Sequence, residues 1–403
     1  MEPPPTSLRS WLDRFETFTV DVIYDRRKDG WARLWGAFLW SLSLLFWGIV
    51  KVREWLYRKR ILRASHLGCM VIVVGNLTVG GTGKTPVVEK LARSLRERGR
   101  KVAILSRGYK SKKEPVLRKW LRWITHAEPE KPREVSDGTR LLLDAETAGD
   151  EPYMLAKNLP GVVVLTDRDR VKAGHYAITQ YGCDTLILDD GFQYFKLKDH
   201  LQVLLIDKTN PFGNGWTLPR GLLREPISHM RRSTYVFLTK SDGEHDAELE
   251  RTIRKYRPDV DLIECRHAPQ YIARVGDGEE QPLEYLRGKR VVVFSAIAVP
   301  ESFEQFVAHY GAEIVHRRRF LDHHRFTPEE LSQLQAEVTA LRADLLVTTE
   351  KDAVRLPAAW KPTVDVYYLR VEIKILSGVK DFEAAVSRIC FPKQEFRLTR
   401  PPY

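Results

Sequence analysis

Cysteine is scarce in this sequence, and closely spaced cysteine pairs are missing. The 403 residues include four cysteines with no Cys-x-x-Cys spacing among them: Cys69, Cys183, Cys265 and Cys390. Disulfide-stabilised domains and structural zinc sites need cysteines that are more numerous or closer together. The sequence therefore argues against both and favours a reducing compartment.

Signatures of nucleic-acid binding and of secretion are also missing. The chain carries 65 Lys and Arg against 53 Asp and Glu, a net charge of +12, yet no zinc-finger or RNP motif accompanies this excess. No signal peptide is expected, because the first long apolar run starts beyond residue 30 and no small-residue cleavage site follows it. The hydrophobic content of 43% and the charged content of 29% are globular values, and the length allows two domains.

One apolar segment lies near the N-terminus. From Leu34 to Val50 no charge occurs, and Arg33 and Lys51 flank the run. Six of the ten tryptophans lie within the first 55 residues, and indole rings favour the bilayer interface. The six basic residues in 51–63 would keep the following domain cytoplasmic. We predict membrane attachment, by a spanning helix or by one that lies in the interface.

A glycine-rich loop follows this segment between a strand and a helix. Val71 to Val74 is predicted as a buried strand, and the apolar periodicity that starts near Val87 predicts a helix. Such a loop binds phosphate through backbone N–H groups, a lysine and a magnesium-binding hydroxyl. The strict pattern has glycine at the position of Thr78. The predicted nucleotide-binding residues are Thr78, Val79, Gly80, Gly81, Thr82, Gly83, Lys84 and Thr85.

Short apolar strands and helical patterns alternate along the rest of the chain, which predicts a doubly wound, mostly parallel α/β sheet of the P-loop NTPase type. Asp189 and Asp190 end one apolar strand, where a P-loop enzyme places carboxylates for Mg²⁺. We predict an N-terminal membrane-anchoring segment at 1–70, a kinase core at 71–285 and a smaller C-terminal α/β domain at 286–403.

Three further stretches have more than one interpretation. Gly149-Asp-Glu-Pro152 is typical of a rigid turn that displays carboxylates, or of a plain solvated turn. Thr239-Lys-Ser-Asp242 matches the [NT]KxD pattern with which GTPases read guanine, but Ser241 or Asp242 can equally be a helix N-cap. The basic, tryptophan-containing stretch 110–134 is either an amphipathic helix on the membrane surface or an ordinary surface excursion.

Taken together, the motifs resemble the tetraacyldisaccharide 4'-kinase family. The resemblance covers roughly residues 30 to 390, and it implies transfer of phosphate from Mg-ATP to a lipid A disaccharide precursor at the cytoplasmic face of the inner membrane. Membrane lipids are expected partners, and neither nucleic acid nor an obligate protein partner is. The motifs are Gly75–Pro86, Ser106-Arg-Gly-Tyr109, Ser136-Asp-Gly138, Gly149–Pro152, Leu188–Gln193, Asp322-His-His324 and Thr348–Asp352.

The resemblance also implies individual roles. Lys84 would bind the β- and γ-phosphates, and Asp150 would be the general base, assisted by a histidine of Asp322-His-His324 that we assign to His323. The implied magnesium-binding residues are Thr85, Asp189, Asp190 and Glu151. The implied substrate-binding residues are Asn76, Arg107 and Gln193.

Two departures from the family pattern and two alternatives remain. Tyr194-Phe195 stands where the family usually has His-Arg, and the 110–134 stretch is longer than expected. A membrane-attached P-loop GTPase switch would prefer guanine, and a non-catalytic membrane scaffold would bind no nucleotide.

Overall fold

The fold is a single extended β-sheet with helices on both faces. The computed structural model describes residues 8–108, 131–357 and 359–390. The strands follow one another across the sheet in the order β11-β10-β12-β13-β8-β7-β6-β1-β5-β2-β4-β3, and β9 pairs with β8. They are β1 Met70–Asn76, β2 Val102–Ser106, β3 Arg133–Asp137, β4 Val163–Thr166, β5 Thr185–Asp189, β6 Leu201–Asp207, β7 Tyr235–Thr239, β8 Asp261–Arg274, β9 Glu280–Gln281, β10 Arg290–Ser295, β11 Glu313–Arg319, β12 Leu345–Thr349 and β13 Val366–Ser377.

The helices connect these strands and precede them at the N-terminus. They are α1 Leu8–Ile23, α2 Gly30–Arg58, α3 Lys84–Glu97, α4 Ala145–Ala148, α5 Asp150–Asn158, α6 Arg170–Tyr181, α7 Ala247–Tyr256, α8 Pro300–His309, α9 Pro328–Ala340, α10 Glu350–Ala353 and α11 Val379–Cys390. Two 3₁₀ turns cover Ile227–Arg232 and Leu283–Leu286.

The first half of the sheet has the predicted parallel, doubly wound arrangement. The strand β1 pairs in parallel with β5 on one side and with β6 on the other. Its Val and Ile side chains are buried on both faces, as expected for a strand covered by helices on both sides. Because parallel strands end at the same edge, the residues after β1, β2 and β5 meet there.

Two antiparallel contacts interrupt the parallel order along the main path of the sheet, and β9 adds a third beside β8. The edge strand β3 runs antiparallel to β4, and the long strands β8 and β13 run antiparallel to each other where the two halves of the sheet join. Helix α11 packs its apolar face, including Phe382 and Val386, into the core of the first half. The boundary near residue 286 remains a prediction, since the sheet is continuous across it.

Helix α2 contains the predicted apolar segment and extends beyond it at both ends. Within the described part of the chain it is the single helix long and apolar enough to cross a membrane by length and composition. Asp29 caps its N-terminus. Ala32, Gly36, Leu39 and Ser43 lie buried along one side, against α1 and the segment after β6.

Two local predictions were wrong. Gly149–Pro152 is not a turn: Asp150 opens helix α5, which tolerates Pro152 because the first helical turn does not need its N–H. Neither Ser241 nor Asp242 caps a helix, since α7 begins at Ala247 after the N-cap Asp246. Most of the stretch 110–134 lies outside the described residues, so its helix prediction stays untested.

Candidate active site

The glycine loop leads from β1 into α3 as the sequence predicts. Gly83 caps α3 with φ of 75°, a left-handed conformation that glycine adopts without strain. Lys84 is the first residue of the helix, and its Nζ lies 3.2 Å from Asn76 Oδ1 and 3.6 Å from Asp190 Oδ1. Thr85 is buried in the first turn. The loop thus places a lysine, a hydroxyl and a helix N-terminus at one point, as phosphate binding requires.

Arg224 joins this group, although the sequence did not indicate it. Its guanidinium donates two hydrogen bonds of 2.9 Å to the Asp190 carboxylate, and it also contacts Asn76 Oδ1. Burial opposes the charge of Asp190, but Arg224 and Lys84 hold its pKa at about 2. Thr78 pairs with Leu223, and the Arg224 amide donates to Leu77, so backbone pairing with the loop fixes Arg224 in place.

Asp189 has a different environment from its neighbour. It is buried at the end of β5, where Ser106 Oγ donates a 3.2 Å hydrogen bond to Oδ2, while Oδ1 has no hydrogen-bond partner among the described residues. Burial, together with Glu151 and Asp190, raises the pKa of Asp189 to about 7. A bound cation would relieve both the missing contact and the unfavourable charge.

These residues fit a magnesium ion of the kind that P-loop enzymes use. Mg²⁺ keeps several waters and takes one or two protein ligands beside the nucleotide phosphates. No group of three or more His, Cys, Asp or Glu that could hold a metal occurs in the described ranges, which is compatible with that mode. The unpartnered Asp189 Oδ1 and the Thr85 hydroxyl suit it best, because Asp190 is already bound by Arg224 and Glu151 lies 3.2 Å from Lys351 Nζ.

A second charged group assembles around Asp150. Its Oδ2 accepts a 2.8 Å hydrogen bond from Arg355 Nε and lies 3.3 Å from His323 Nδ1, and Arg325 is 3.5 Å from Oδ1. Burial opposes this charge, yet His323 and Arg355 hold the pKa of Asp150 at about 2. The Nε2 atom of His323 lies 3.4 Å from Lys351 Nζ.

The two adjacent histidines have separate environments. His323 reaches Asp150, whereas His324 Nε2 lies 2.8 Å from Glu330 Oε2 and its ring stacks on Phe320. Glu330 also forms the capping box of α9 with Thr327. His324 is therefore part of the support for α9, and His323 is the histidine that lies beside Asp150.

The residues predicted to bind substrate lie around the same edge. The side-chain oxygen of Asn76 accepts hydrogen bonds from Lys84 and Arg224. The side chain of Gln193 donates a 3.0 Å hydrogen bond to the backbone carbonyl of Asn76. Arg107 follows β2 with an exposed side chain. Asn76 thus contacts Lys84 directly and Gln193 contacts Asn76, whereas the side chain of Arg107 is exposed.

Comparison with known proteins agrees with this geometry. The family model of Tetraacyldisaccharide-1-P 4'-kinase matches residues 35–390. A protein named tetraacyldisaccharide 4'-kinase from Anaeromyxobacter dehalogenans (strain 2CP-C) is 39% identical over 373 residues, which cover 91% of this chain and 94% of the relative. A protein of that name from Geobacter sulfurreducens is 39% identical over 358 residues, covering 89% and 94%.

A solved structure shows the same similarity. The "apo" form of LpxK from Aquifex aeolicus in complex with ATP is 30% identical with a TM-score of 0.66, and the match covers 87% of this chain and 98% of that one. Sequence and fold therefore agree along nearly the whole length, and the chain belongs to the tetraacyldisaccharide 4'-kinase family.

Proposed function

We propose that this protein transfers the γ-phosphate of ATP to the 4'-hydroxyl of a tetraacyldisaccharide 1-phosphate. The observation that carries the proposal is the meeting of two charged groups: Lys84 with Asp189 and Asp190, and Asp150 with His323. Glu151, next to Asp150, is close enough to Asp189 to raise its pKa and so links the two groups. The names of the relatives and the ATP-bound neighbour support the reaction and its donor. Neither the names of the relatives nor the ATP-bound neighbour support the alternative of a GTPase switch.

The phosphate-binding residues supply charge neutralisation. In this proposal Lys84 and the loop N–H groups from Gly80 to Gly83 hold the β- and γ-phosphates, and Arg224 adds positive charge beside them. Thr85 and Asp189 would bind Mg²⁺, which neutralises charge that develops on the transferred phosphoryl group. The side-chain oxygen of Asn76 contacts both Lys84 and Arg224, and it thereby fixes the direction from which these two side chains approach the phosphate.

Asp150 and His323 would receive the proton of the sugar hydroxyl. A carboxylate with a pKa of about 2 is ionised at neutral pH, so it can accept a hydrogen bond from the attacking hydroxyl. Such a carboxylate is by itself a weak base, and the nearby imidazole gives the proton a second place to go. Asp150 belongs to the proposed unit 71–285 and His323 to the proposed unit 286–403, so the pair forms where the two units meet.

The exposed side of α2 supports attachment at the membrane interface. Large apolar side chains recur there every three or four residues: Leu34, Phe38, Leu42, Leu45, Ile49 and Val52. The opposite side contacts the body of the protein: Ser43 Oγ lies 2.9 Å from the Thr217 carbonyl, and Glu54 lies 2.9 Å from His229 Nε2. The body contacts of α2 from Gly36 to Glu54 extend over roughly 27 Å.

A spanning α2 would carry that polar surface of the body into hydrocarbon, where unpaired polar groups are costly. We therefore favour a helix that lies in the interface with its apolar side in the lipid. The basic cluster at 51–63 covers the C-terminal end of α2 and the residues after it. It suits the anionic cytoplasmic leaflet, which supports the inner membrane as the location.

The test uses the detergent-solubilised full chain with tetraacyldisaccharide 1-phosphate and γ-labelled ATP or GTP. We expect label to reach the lipid from ATP and the transfer to fall by at least about 10³-fold in Lys84→Ala and Asp150→Ala. Lys90→Ala on α3 is the control, since that side chain is outside the site. Nucleotide hydrolysis that ignores the lipid and prefers GTP would refute the proposal.

A further inference from the structure

A continuous series of contacts joins helix α2 to the phosphate-binding residues. It runs through residues 214–232, which we call the bridging segment. On one side this segment pairs with the glycine loop and the residues before it. The Val79 N–H donates a 2.8 Å hydrogen bond to the Leu222 carbonyl, and the Arg224 N–H donates one of 2.6 Å to the Leu77 carbonyl. On its other side the segment contacts α1 and α2. It therefore connects the membrane-attachment helix with the phosphate site.

The part of the bridging segment that faces the end of α2 is built around His229. This histidine is fully buried in the 3₁₀ turn Ile227–Arg232. Its Nδ1 lies 2.9 Å from Glu225 Oε2, and its Nε2 lies 2.9 Å from Glu54 Oε2 on α2. The two nitrogens of an imidazole point in opposite directions, so one ring can contact two carboxylates at once. His229 thus links α2 to the residue that directly follows Arg224.

Cations hold both of these carboxylates in place. The side chain of Glu54 is only 12% exposed, and that of Glu225 only 2%. Arg231 Nη2 lies 2.5 Å from Glu54 Oε1, and Arg232 contacts Glu225. Lys51 Nζ lies beside both Glu54 and the imidazole. Because a buried carboxylate is costly without its partners, this arrangement resists movement of either glutamate.

Arg224 depends on such support from outside the phosphate site. Its guanidinium contacts Asp190 and Asn76, which themselves lie beside the phosphates in the proposed function. Its Nε is buried and has no hydrogen-bond partner among the described residues, which leaves a donor for a ligand oxygen. The position of this side chain is therefore set by the backbone on either side of it. Leu223 pairs with the loop before Arg224, and Glu225 is held by His229 after it.

We propose that Glu54 and His229 are positioning residues for Arg224, so that α2 supports binding of the donor nucleotide as well as membrane attachment. The proposal rests on the proposed function for the role of Arg224 beside the phosphates of ATP. The side of α2 that carries Glu54 is opposite to the exposed apolar side, so the two roles of the helix are separable by mutation.

The test measures binding of Mg-ATP to the full chain in detergent by calorimetry, without any lipid acceptor. Glu54→Met keeps a side chain of similar length but removes the acceptor for His229, and we expect it to weaken binding at least about fivefold. Glu54→Gln should stay within about twofold of wild type, because its amide oxygen can still accept from the imidazole. Arg224→Ala should weaken binding at least about tenfold.

The double variant Glu54→Met with Arg224→Ala decides whether the effect passes through Arg224. If it does, the double variant binds Mg-ATP within about twofold of Arg224→Ala alone, since Glu54 then has no guanidinium left to position. Two independent effects would instead multiply, and the double variant would bind about fiftyfold more weakly than wild type.

Two controls separate this role from folding and from attachment. Glu16→Gln changes an exposed carboxylate on α1 and should leave the affinity unchanged. Glu54→Met should sediment with anionic vesicles like the wild type, because the apolar side of α2 is intact. If Glu54→Met no longer unfolds cooperatively, His229→Gln replaces it, since a glutamine amide contacts one of the two glutamates at a time.

Unchanged affinity in Glu54→Met would overturn the proposal, and so would a loss that multiplies with that of Arg224→Ala. An Arg224→Ala variant that binds Mg-ATP like the wild type would overturn it as well. Since no acceptor is present, a failure of phosphoryl transfer to lipid in the kinase assay would refute the proposed function without affecting these binding results.

Discussion

At the scale of single residues, the site is decided by how each carboxylate is paired. Asp189 has an unpartnered oxygen and a raised pKa, whereas Asp190 and Asp150 are bound by arginines and have lowered values. These carboxyl groups therefore differ in pKa because their neighbouring charges and hydrogen-bond donors differ. The unpartnered acid suits a cation, and the paired acids remain anions at neutral pH.

The pairing of Asp150 predicts a pH-dependent contribution to stability. Its pKa is lowered from 3.8 to about 2 on folding, so the stabilisation is complete above the unfolded value and is lost as the pH falls towards 2. We expect Asp150→Asn to lower the free energy of unfolding by about 2 kcal/mol at pH 7. The difference should shrink below pH about 4 and be smallest near pH 2.

Chemical denaturation of both proteins at a series of pH values measures this difference. Asp259→Asn, an exposed aspartate beyond α7, is the matched control and should show little change at any pH. A deficit of Asp150→Asn that stays constant down to pH 2 would show that lost packing, and not charge pairing, is responsible.

At the scale of elements, α2 has two sides with different partners. One side packs on α1 and on the segment that carries Thr217, Glu225 and His229. The other side exposes large apolar side chains along the whole helix. An exposed apolar surface of this extent marks a binding surface, and the helix pattern suits a lipid interface.

Polar substitutions on the exposed side of α2 should therefore weaken binding to vesicles. We expect the triple variant Phe38→Gln, Leu45→Gln and Ile49→Gln to reduce partitioning into anionic lipid vesicles by at least about 100-fold, given roughly 1.5–3 kcal/mol per buried side chain. Vesicle sedimentation measures the effect. Solubility and kinase activity on acceptor in detergent should be retained.

The double variant Leu341→Gln and Val379→Gln changes apolar side chains that are also exposed but lie outside α2. It should sediment with vesicles like the wild type. If the α2 variant did so too, attachment would have to come from another part of the chain.

At the scale of the whole molecule, a buried charge cluster joins the two halves of the sheet. Arg370 on β13 donates a 2.7 Å hydrogen bond to Glu350 on α10 and contacts Glu89 on α3. Asn158, at the end of α5, donates to Glu350 at 2.7 Å. Arg370 is buried, and its charge is stable because carboxylates surround it. Burial alone would lower the pKa of Arg370, but Glu350 and Glu89 raise it.

Arg370→Met should be strongly destabilising, since it leaves buried carboxylates without their partner. We expect a loss of about 3–5 kcal/mol in the free energy of unfolding, measured by chemical denaturation. Arg266→Met, an exposed arginine on β8, should cost less than about 0.5 kcal/mol. A loss in Arg370→Met no larger than in this control would mean that the cluster does not hold the halves together.

The sequence by itself determined the features that depend on local pattern. Short runs in the sequence show the glycine loop after a buried strand, the helix that follows this loop and the acids at the end of β5. Strand alternation implies that parallel strands end together. The apolar helix near the N-terminus was equally clear. The Gly149–Pro152 turn was predicted wrongly because a glycine, two acids and a proline suit a helix start as well as a turn.

Only the tertiary structure decided which distant residues complete the site. Arg355 reaches Asp150 across 205 positions of sequence, and His323 reaches it across 173. No periodicity or spacing encodes such pairs, since they depend on strand order and on the packing of helices over the sheet. For the same reason, the sequence could assign His323 over His324 only through the family resemblance, and it could not show which side of α2 faces the body.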